Sequence, residues 1–87
     1  MLVRWSRHAK MRFAERAVYL GINYGDIELE IKRQSLKIKI AKNKFKTIFA
    51  IGAKFLTAIK IEKKDFIHVL TLWEASESET EEWKEKK

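Results

Sequence analysis

The sequence predicts an α+β fold in which two N-terminal helices pack on one face of a four-stranded antiparallel sheet. Three observations lead to this prediction. Apolar residues recur at helical spacing in the first third of the chain, they alternate with polar residues from residue 36 onward, and short polar segments divide the alternating part into strands. We assign residues 1–74 to a single domain and residues 75–87 to a short charged C-terminal helix or tail.

The chain is expected to begin with a short edge strand, Leu2 to Trp5, and to continue with a helix from Ser6 to Leu20. The Ser6 hydroxyl suits the N-cap position, and Gly21 suits the helix end because glycine enters the left-handed region without penalty. One stripe of this helix is apolar: Ala9, Phe13, Ala17 and Leu20. The adjacent stripe consists of His8, Arg12, Glu15 and Tyr19, with Arg16 between them.

The remaining elements follow in order. Asn23 is expected to cap a second helix from Tyr24 to Gln34. Four strands are then predicted, near residues 36–40, 45–51, 54–61 and 66–73, with turns at residues 42–44, 52–53 and 63–65. In the tail, Ser78 is expected to cap the short helix. Trp83 is expected to dock on the sheet, with a frayed tail as the alternative.

Strand alternation predicts five lysines on the sheet face that points away from the helices: Lys37, Lys39, Lys46, Lys54 and Lys60. Such a face could follow a phosphate backbone, since each cation releases condensed counterions on binding. It carries no aromatic ring, so the base-stacking platform of sheet-type RNA binders is missing. Two other interpretations stay open: a solvated face that lysines protect from edge pairing, and an apolar centre that a second copy or Trp83 covers.

The charge is unevenly distributed along the 87 residues. Residues 1–73 contain 16 Lys and Arg against 6 Asp and Glu, whereas residues 74–87 contain 3 Lys against 6 Glu. A basic body within a chain of net charge +7 indicates a polyanionic partner such as RNA, and an acidic tail that competes with it. The alternative is a composition bias, since heat-adapted organisms favour surfaces rich in Lys and Glu.

Several classes of protein do not fit this sequence. The chain has no cysteine, which removes disulfides, thiolate zinc sites and thiol nucleophiles. It contains no glycine-rich phosphate loop, no serine-nucleophile motif and no paired ligand set, so we expect no metal and no cofactor. It also lacks a signal peptide and the apolar run of roughly 18 residues that a membrane span needs. We therefore expect a cytoplasmic protein without a membrane partner.

The two histidines, His8 and His68, are the candidate proton-transfer groups. Metal-independent RNA cleavage needs a base, an acid and cations that stabilise the phosphorane charge, and histidine titrates near neutrality. On the first helix, His8 combines with Arg12 and Arg16 into a candidate phosphate site. His68 lies on a predicted strand, and the sequence does not show that it approaches His8. The simpler interpretation is a helix-start residue bonded to a neighbour for His8, and an ordinary sheet residue for His68.

A resemblance to a known family rests on the same helix. The segment Ser6-Arg7-His8-Ala9-x-x-Arg12-x-x-Glu15-Arg16 precedes Gly21-Ile22-Asn23 and an acidic second helix. This arrangement resembles a family of small domains that open with a His-Ala-x-x-Arg-x-x-x-Arg helix. The segment Leu70-Thr71-Leu72-Trp73 is similar to the Ile-x-Thr-Val-Tyr-like strand at the end of those domains. The family is allied to the RelE and BrnT toxins, which share a fold of helices packed on an antiparallel sheet.

The resemblance implies a function as well as a fold. RelE/BrnT-like relatives imply metal-independent cleavage of RNA, silenced by an antitoxin-like protein partner, with His8 as the proton-transfer group and Arg12 and Arg16 on the phosphate. The chain departs from the pattern by an extra helical turn, residues 17–20, and by Glu74 near the position where BrnT-type toxins carry an arginine. Two alternatives stay open: a non-catalytic nucleic-acid binder, and an interaction module that docks a protein partner or forms a homodimer.

Overall fold

The computed structural model describes residues 2–21, 23–33 and 36–86, without the side chains of residues 16–20 and 24. The elements follow in the order β1 (Leu2–Trp5), α1 (Arg7–Leu20), α2 (Tyr24–Arg33), β2 (Leu36–Ala41), β3 (Lys44–Ile51), β4 (Lys54–Glu62), β5 (Phe66–Glu74) and α3 (Glu77–Lys86). The predicted α+β class is confirmed, while Gln34, the predicted end of the second helix, lies outside the described residues. None of the described helices is long and apolar enough to cross a membrane.

The sheet has five strands in the order β1-β5-β4-β3-β2, and it is mixed because β1 pairs with β5 in parallel. The predicted edge strand Leu2–Trp5 is confirmed, but it joins the sheet as a fifth strand in parallel, so the prediction of a four-stranded, purely antiparallel sheet is wrong. β2 to β5 form the predicted antiparallel meander, and β1 adds to its far edge, where Leu2 lies opposite Phe66 and Trp5 opposite Val69. No turn links these two segments, so the local pattern does not reveal a pairing between the two ends of the chain.

Hydrogen bonds at the helix starts confirm two predicted caps. The Ser6 hydroxyl accepts a bond from the Ala9 amide at 3.0 Å, and Asn23 Oδ1 accepts a bond from the Asp26 amide at 3.0 Å. Gly21 follows α1 with a φ of 63°, the left-handed conformation that ends many helices. The start and the end of the first helix thus follow from the residue types at these positions.

The main core lies between the sheet and the pair of helices α1 and α2. The helices contribute four buried residues: Ala9, Phe13, Ile27 and Ile31. The sheet contributes Val3, Phe49, Ile51, Leu56, Ala58, Ile67, Val69 and Leu72. Ala9 and Phe13 therefore face the core as predicted, whereas the side chains of Ala17 and Leu20 lie outside the described residues.

The two-residue turn Gly52-Ala53 sets which residues of β4 face this core. Ile51 and Lys54 lie directly opposite each other across the turn, and opposite residues of antiparallel strands share a face. The next pair on that face, Phe49 and Leu56, is fully buried beneath the helices. The predicted faces of β4 are therefore reversed, because alternation does not continue unbroken through a two-residue turn.

α3 packs on the opposite face of the sheet. Trp83 contacts Phe55 edge to face, with ring centroids 4.9 Å apart, so Trp83 docks on the sheet as predicted. The helix begins with a capping box, in which Ser76 Oγ accepts a bond from the Glu79 amide and Glu79 Oε1 accepts one from the Ser76 amide. Ser76, rather than the predicted Ser78, is therefore the N-cap.

Candidate nucleic-acid interface

The predicted phosphate site on α1 lies on an exposed face of the helix. His8 and Arg12 are both exposed and lie one helical turn apart. Arg12 Nη1 is 3.8 Å from Glu15 Oε2, and these side chains are 45% and 57% exposed. An ion pair this open to water contributes little free energy, so it competes weakly with a phosphate for the guanidinium. The side chain of Arg16, the third predicted member, lies outside the described residues.

The start of α1 is fixed to β5 by Ser6. The Ser6 amide donates to the Val69 carbonyl at 2.8 Å, and the Ser6 hydroxyl donates to the Leu70 carbonyl at 2.6 Å. Leu70 is the extra residue of a bulge, since Ile59 pairs with Thr71 and the next residue of β4 pairs with Val69. These bonds hold the first turn of α1, which carries His8, against the sheet.

The two histidines lie on opposite faces of the sheet. Ile67 and Val69 are buried in the core beneath α1, so His68 between them points to the other face. α1 packs on the core side through Ala9 and Phe13, which places His8 beyond the helix on that side. The sheet therefore separates the two imidazoles, and they cannot serve one phosphate as an acid–base pair within a single chain.

The five lysines of the predicted basic face do not share a face. The strand register divides them: Lys37, Lys39, Lys54 and Lys60 lie on the side of α1 and α2, and Lys46 lies on the side of α3. On β4 the two-residue turn reverses the predicted faces. On β2 an irregularity between Lys39 and Ala41 sets a register in which Lys37 lies opposite Thr47, a residue of the core side. The prediction that these five lysines share one face of the sheet is therefore wrong.

Lys60 is fully buried and holds two elements together. Its Nζ donates to the Ile31 carbonyl at 3.4 Å and lies 3.1 Å from Glu62 Oε2. Ile31 belongs to the last turn of α2, so the ammonium satisfies a terminal carbonyl and complements the helix dipole. Burial lowers the pKa of Lys60, and Glu62 offsets part of this effect. Lys37 Nζ lies 3.3 Å from the same carboxylate.

Lys46 is also paired, and the last two lysines of the set lie far apart. Lys46 Nζ is 2.9 Å from Glu79 Oε2 on α3. Lys39 and Lys54 are exposed, but Lys39 lies near the β2–β3 turn and Lys54 follows the β3–β4 turn. In an antiparallel meander these turns are at opposite ends of the sheet. Among the five predicted residues, three are therefore paired with two carboxylates, Glu62 and Glu79, and the other two cannot contact one short ligand.

A second group of lysines meets at one end of the sheet. The Glu62 amide donates to the Asn43 carbonyl at 2.8 Å, so the β2–β3 turn and the β4–β5 turn lie side by side. We call this surface the cationic end and define it by five residues: Lys39, Lys42, Lys44, Lys63 and Lys64. Four of them are exposed and Lys44 is half-buried. On the described surface of this end, Asp65 is the exposed carboxylate, since Glu62 pairs with buried Lys60.

The sequence indicates the cationic end through two lysine-rich turns, but the pattern within any single strand or helix does not show that these turns meet. Both turns are rich in lysine, at Lys42-Asn43-Lys44 and at Lys63-Lys64-Asp65. They are about twenty residues apart, and they meet only because β3 and β4 are similar in length, so that the chain returns to the same end. The surface follows from the predicted turns taken together with the predicted strand lengths, which place both turns at the same end of the meander.

The opposite end of the sheet carries an acidic groove. A groove of about 340 Å³ lies there between α2 and the β3–β4 turn, lined by Gly21, Asp26, Leu29, Glu30, Ala50, Ile51 and Gly52. The carboxylates of Asp26 and Glu30 make this groove unsuited to a phosphate. None of the predicted site residues whose side chains the structure describes lines it. Lysines thus predominate at the cationic end, whereas the opposite end carries the carboxylates of this groove together with exposed Lys54.

Comparison of the chain with known proteins does not assign this surface to a known class of protein. No protein-family model, curated protein or solved structure matches the chain. The relationship to the RelE/BrnT-like toxins therefore rests on the residues of the first helix and the last strand, and it stays a prediction.

Proposed function

We propose that the protein binds RNA, or another nucleic acid, through the cationic end. The observation that carries this proposal is the bond from the Glu62 amide to the Asn43 carbonyl, because it brings two lysine-rich turns together. Five lysines then share one surface with a single exposed carboxylate, Asp65. A surface of this kind suits a ligand with many regularly spaced negative charges.

The physical basis is the release of counterions. Each lysine that contacts a phosphate releases condensed cations, so the logarithm of the affinity falls with the logarithm of salt by roughly 0.7 per contact on a single strand and 0.9 on a duplex. Five contacts would give a slope between about −3.5 and −4.5. Lysine ammonium groups act as point charges on flexible stems, so such contacts carry little sequence information.

Charge reversal tests the proposal. The affinity of the full chain for a labelled 20-nucleotide RNA is measured by fluorescence anisotropy between 50 and 300 mM KCl. Lys42→Glu and Lys63→Glu should each weaken binding about fivefold at 100 mM KCl and make the salt slope shallower by about 1. Lys54→Glu is the matched control, because it changes the net charge equally at the opposite end and should stay within twofold of wild type. Equal losses in all three variants, or no binding by wild type, would reject the proposal.

A second candidate function is RNA cleavage in the manner of the RelE/BrnT-like toxins. The observation that favours it is the exposure of His8 and Arg12 on successive turns of α1, where the ion pair of Arg12 with Glu15, at 3.8 Å, is open to water. A phosphate held by Arg12 would lie within reach of the imidazole of His8. In this candidate His8 transfers a proton and Arg12 binds the phosphate. Arg16 is proposed to bind the phosphate as well. An antitoxin-like protein partner is proposed to silence the activity.

Histidine variants test this candidate. A 5′-labelled RNA is incubated with excess protein, with and without EDTA, and the products are resolved on a gel. His8→Ala should lower the cleavage rate at least 100-fold, which is the usual contribution of a proton-transfer group. His68→Ala is the matched control, because His68 lies on the other face of the sheet, and it should cleave at the wild-type rate. Absence of cleavage by wild type, or equal rates in both variants, would remove the candidate.

A further inference from the structure

We infer that the cationic end accepts double-stranded nucleic acid in preference to a single strand. This inference rests on the proposed binding function and narrows its ligand. It starts from the two aromatic rings at that end of the sheet. Lys37 Nζ lies 4.5 Å from the centre of the Phe45 ring, and Arg4 Cζ lies 4.8 Å from the centre of the Phe66 ring.

Each of these rings is already covered by a cation and is half-buried. Phe45 lies next to Lys44 at the start of β3, and Phe66 follows the β4–β5 turn directly. A base that stacked on either ring would have to displace a cation whose attraction to the ring is favourable. Proteins that bind single strands without sequence preference depend on open aromatic rings on which successive bases stack. Neither Phe45 nor Phe66 offers an open ring on which a base could stack.

Charge density then favours the duplex. The centres of the two turns are two strand spacings apart, or roughly 10 Å. Over that length a duplex presents roughly six phosphates, and either of its strands alone about three, because a duplex carries one charge per about 1.7 Å of axis. A surface that binds through lysine ammonium groups alone therefore gains more from a duplex. It gains the same from every sequence, since phosphate contacts do not read bases.

The two cations over the rings lie on opposite faces and opposite edges of the sheet, because Arg4 pairs with His68 and Lys37 with Thr47. Arg4 is exposed beside Phe66 at the edge of the sheet. Lys37 also lies 3.3 Å from Glu62, so it contributes less positive charge than Arg4. Each ring therefore carries a cation instead of offering an open face for a base.

The test compares a 20-base-pair duplex, a scrambled duplex and an unstructured 20-nucleotide strand at 100 mM KCl, by anisotropy with the full chain. The duplex should bind at least fivefold tighter than the strand, and the scrambled duplex should stay within twofold of the first. RNA and DNA duplexes are measured in parallel. Tighter binding of either duplex than of its own single strand supports the inference. The ratio of the affinities for the RNA and DNA duplexes then shows which nucleic acid the surface prefers.

Ring variants give an independent readout. Phe45→Leu and Phe66→Leu should change the affinity for the single strand by less than twofold, because no base stacks on these rings. A strand that binds as tightly as the duplex, or a fivefold loss of strand affinity in either variant, overturns the inference while leaving nucleic-acid binding intact. If the variants fail to fold, the ratio of duplex to strand affinity in wild type decides alone. No binding to any of the ligands rejects the proposed function itself.

Discussion

Glu79 Oε2 lies 2.9 Å from Lys46 Nζ, and this contact joins α3 to the sheet. Glu79 Oε1 accepts two further bonds, from the Ser76 amide at 2.9 Å and from Trp73 Nε1 at 3.0 Å. Burial alone would raise the pKa of this carboxyl, but the bonds from Ser76, Lys46 and Trp73 outweigh it and lower the pKa to about 2. One ionised side chain, 11% exposed, thus caps the helix and anchors it to the sheet.

Replacing Glu79 should loosen this helix. Glu79→Gln keeps the size of the side chain but removes the charge that Lys46 and the Ser76 amide bond to, and losing charged hydrogen bonds of this kind costs about 2–3 kcal/mol. The free energy of unfolding is measured by urea denaturation with tryptophan fluorescence, which reports on Trp5 as well as on Trp73 and Trp83. Glu81→Gln, on an exposed position of the same helix, is the control and should change stability by less than about 0.5 kcal/mol. Equal midpoints in the two variants would contradict this role of Glu79.

The same carboxylate should make stability depend on pH. The pKa of Glu79 is lower in the folded chain, about 2 against an ordinary value of 4.5, so its ionised form stabilises the fold above pH 4.5 and this contribution is lost as the pH falls toward 2. The shift corresponds to about 3 kcal/mol at neutral pH, and less than about 1 kcal/mol of it remains at pH 2.5. The difference in unfolding free energy between wild type and Glu79→Gln should therefore shrink between pH 6 and pH 2.5. A constant difference would mean that the charge of Glu79 is not involved.

Sequence patterns predicted the helices and turns well, because the signals are local. A serine at the N-cap and a glycine after the last helical residue each act within one turn, as Ser6 and Gly21 do here. The pairing of β1 with β5 was not predictable in the same way, since it joins residues more than sixty positions apart. The faces of β4 were predictable in principle: they depend on the length of the turn at Gly52, and that length was itself predicted.

The functional surface was predictable only in part. Patterns on one element, such as His8 and Arg12 on α1, are visible in sequence and lie on the exposed face of the helix in the structure. Whether a charged residue is free or paired depends on contacts between elements. Lys60 illustrates this, because an alternating strand pattern cannot show that its ammonium is buried beneath α2. The cationic end needs two turns to meet, which is also a property of the whole meander.

Gly52 should be sensitive to any side chain. Its φ is +59°, and nothing lies within 4 Å of the position that a Cβ would occupy, so the cost of substitution comes from the backbone alone. Gly52→Ala should destabilise the chain by about 1–2 kcal/mol, because an L-residue avoids the left-handed region. Gly52→Asn should cost less, since asparagine tolerates that conformation. The measurement is the urea midpoint followed by circular dichroism, and an asparagine variant less stable than the alanine variant would argue against backbone strain as the cause.

The pair Lys60 and Glu62 should respond unequally to removal of either partner. Glu62→Gln removes the negative charge beside the fully buried ammonium of Lys60 and leaves it only neutral acceptors, and an uncompensated buried charge costs about 3 kcal/mol or more. Lys60→Met leaves Glu62 partly exposed and still 3.3 Å from Lys37, and it replaces a buried charge by an apolar chain of similar length. This variant should cost less than about 1.5 kcal/mol. Both unfolding free energies are measured in urea at pH 7, and a Lys60→Met variant less stable than Glu62→Gln would show that the bond to α2, rather than the ion pair, dominates this contact.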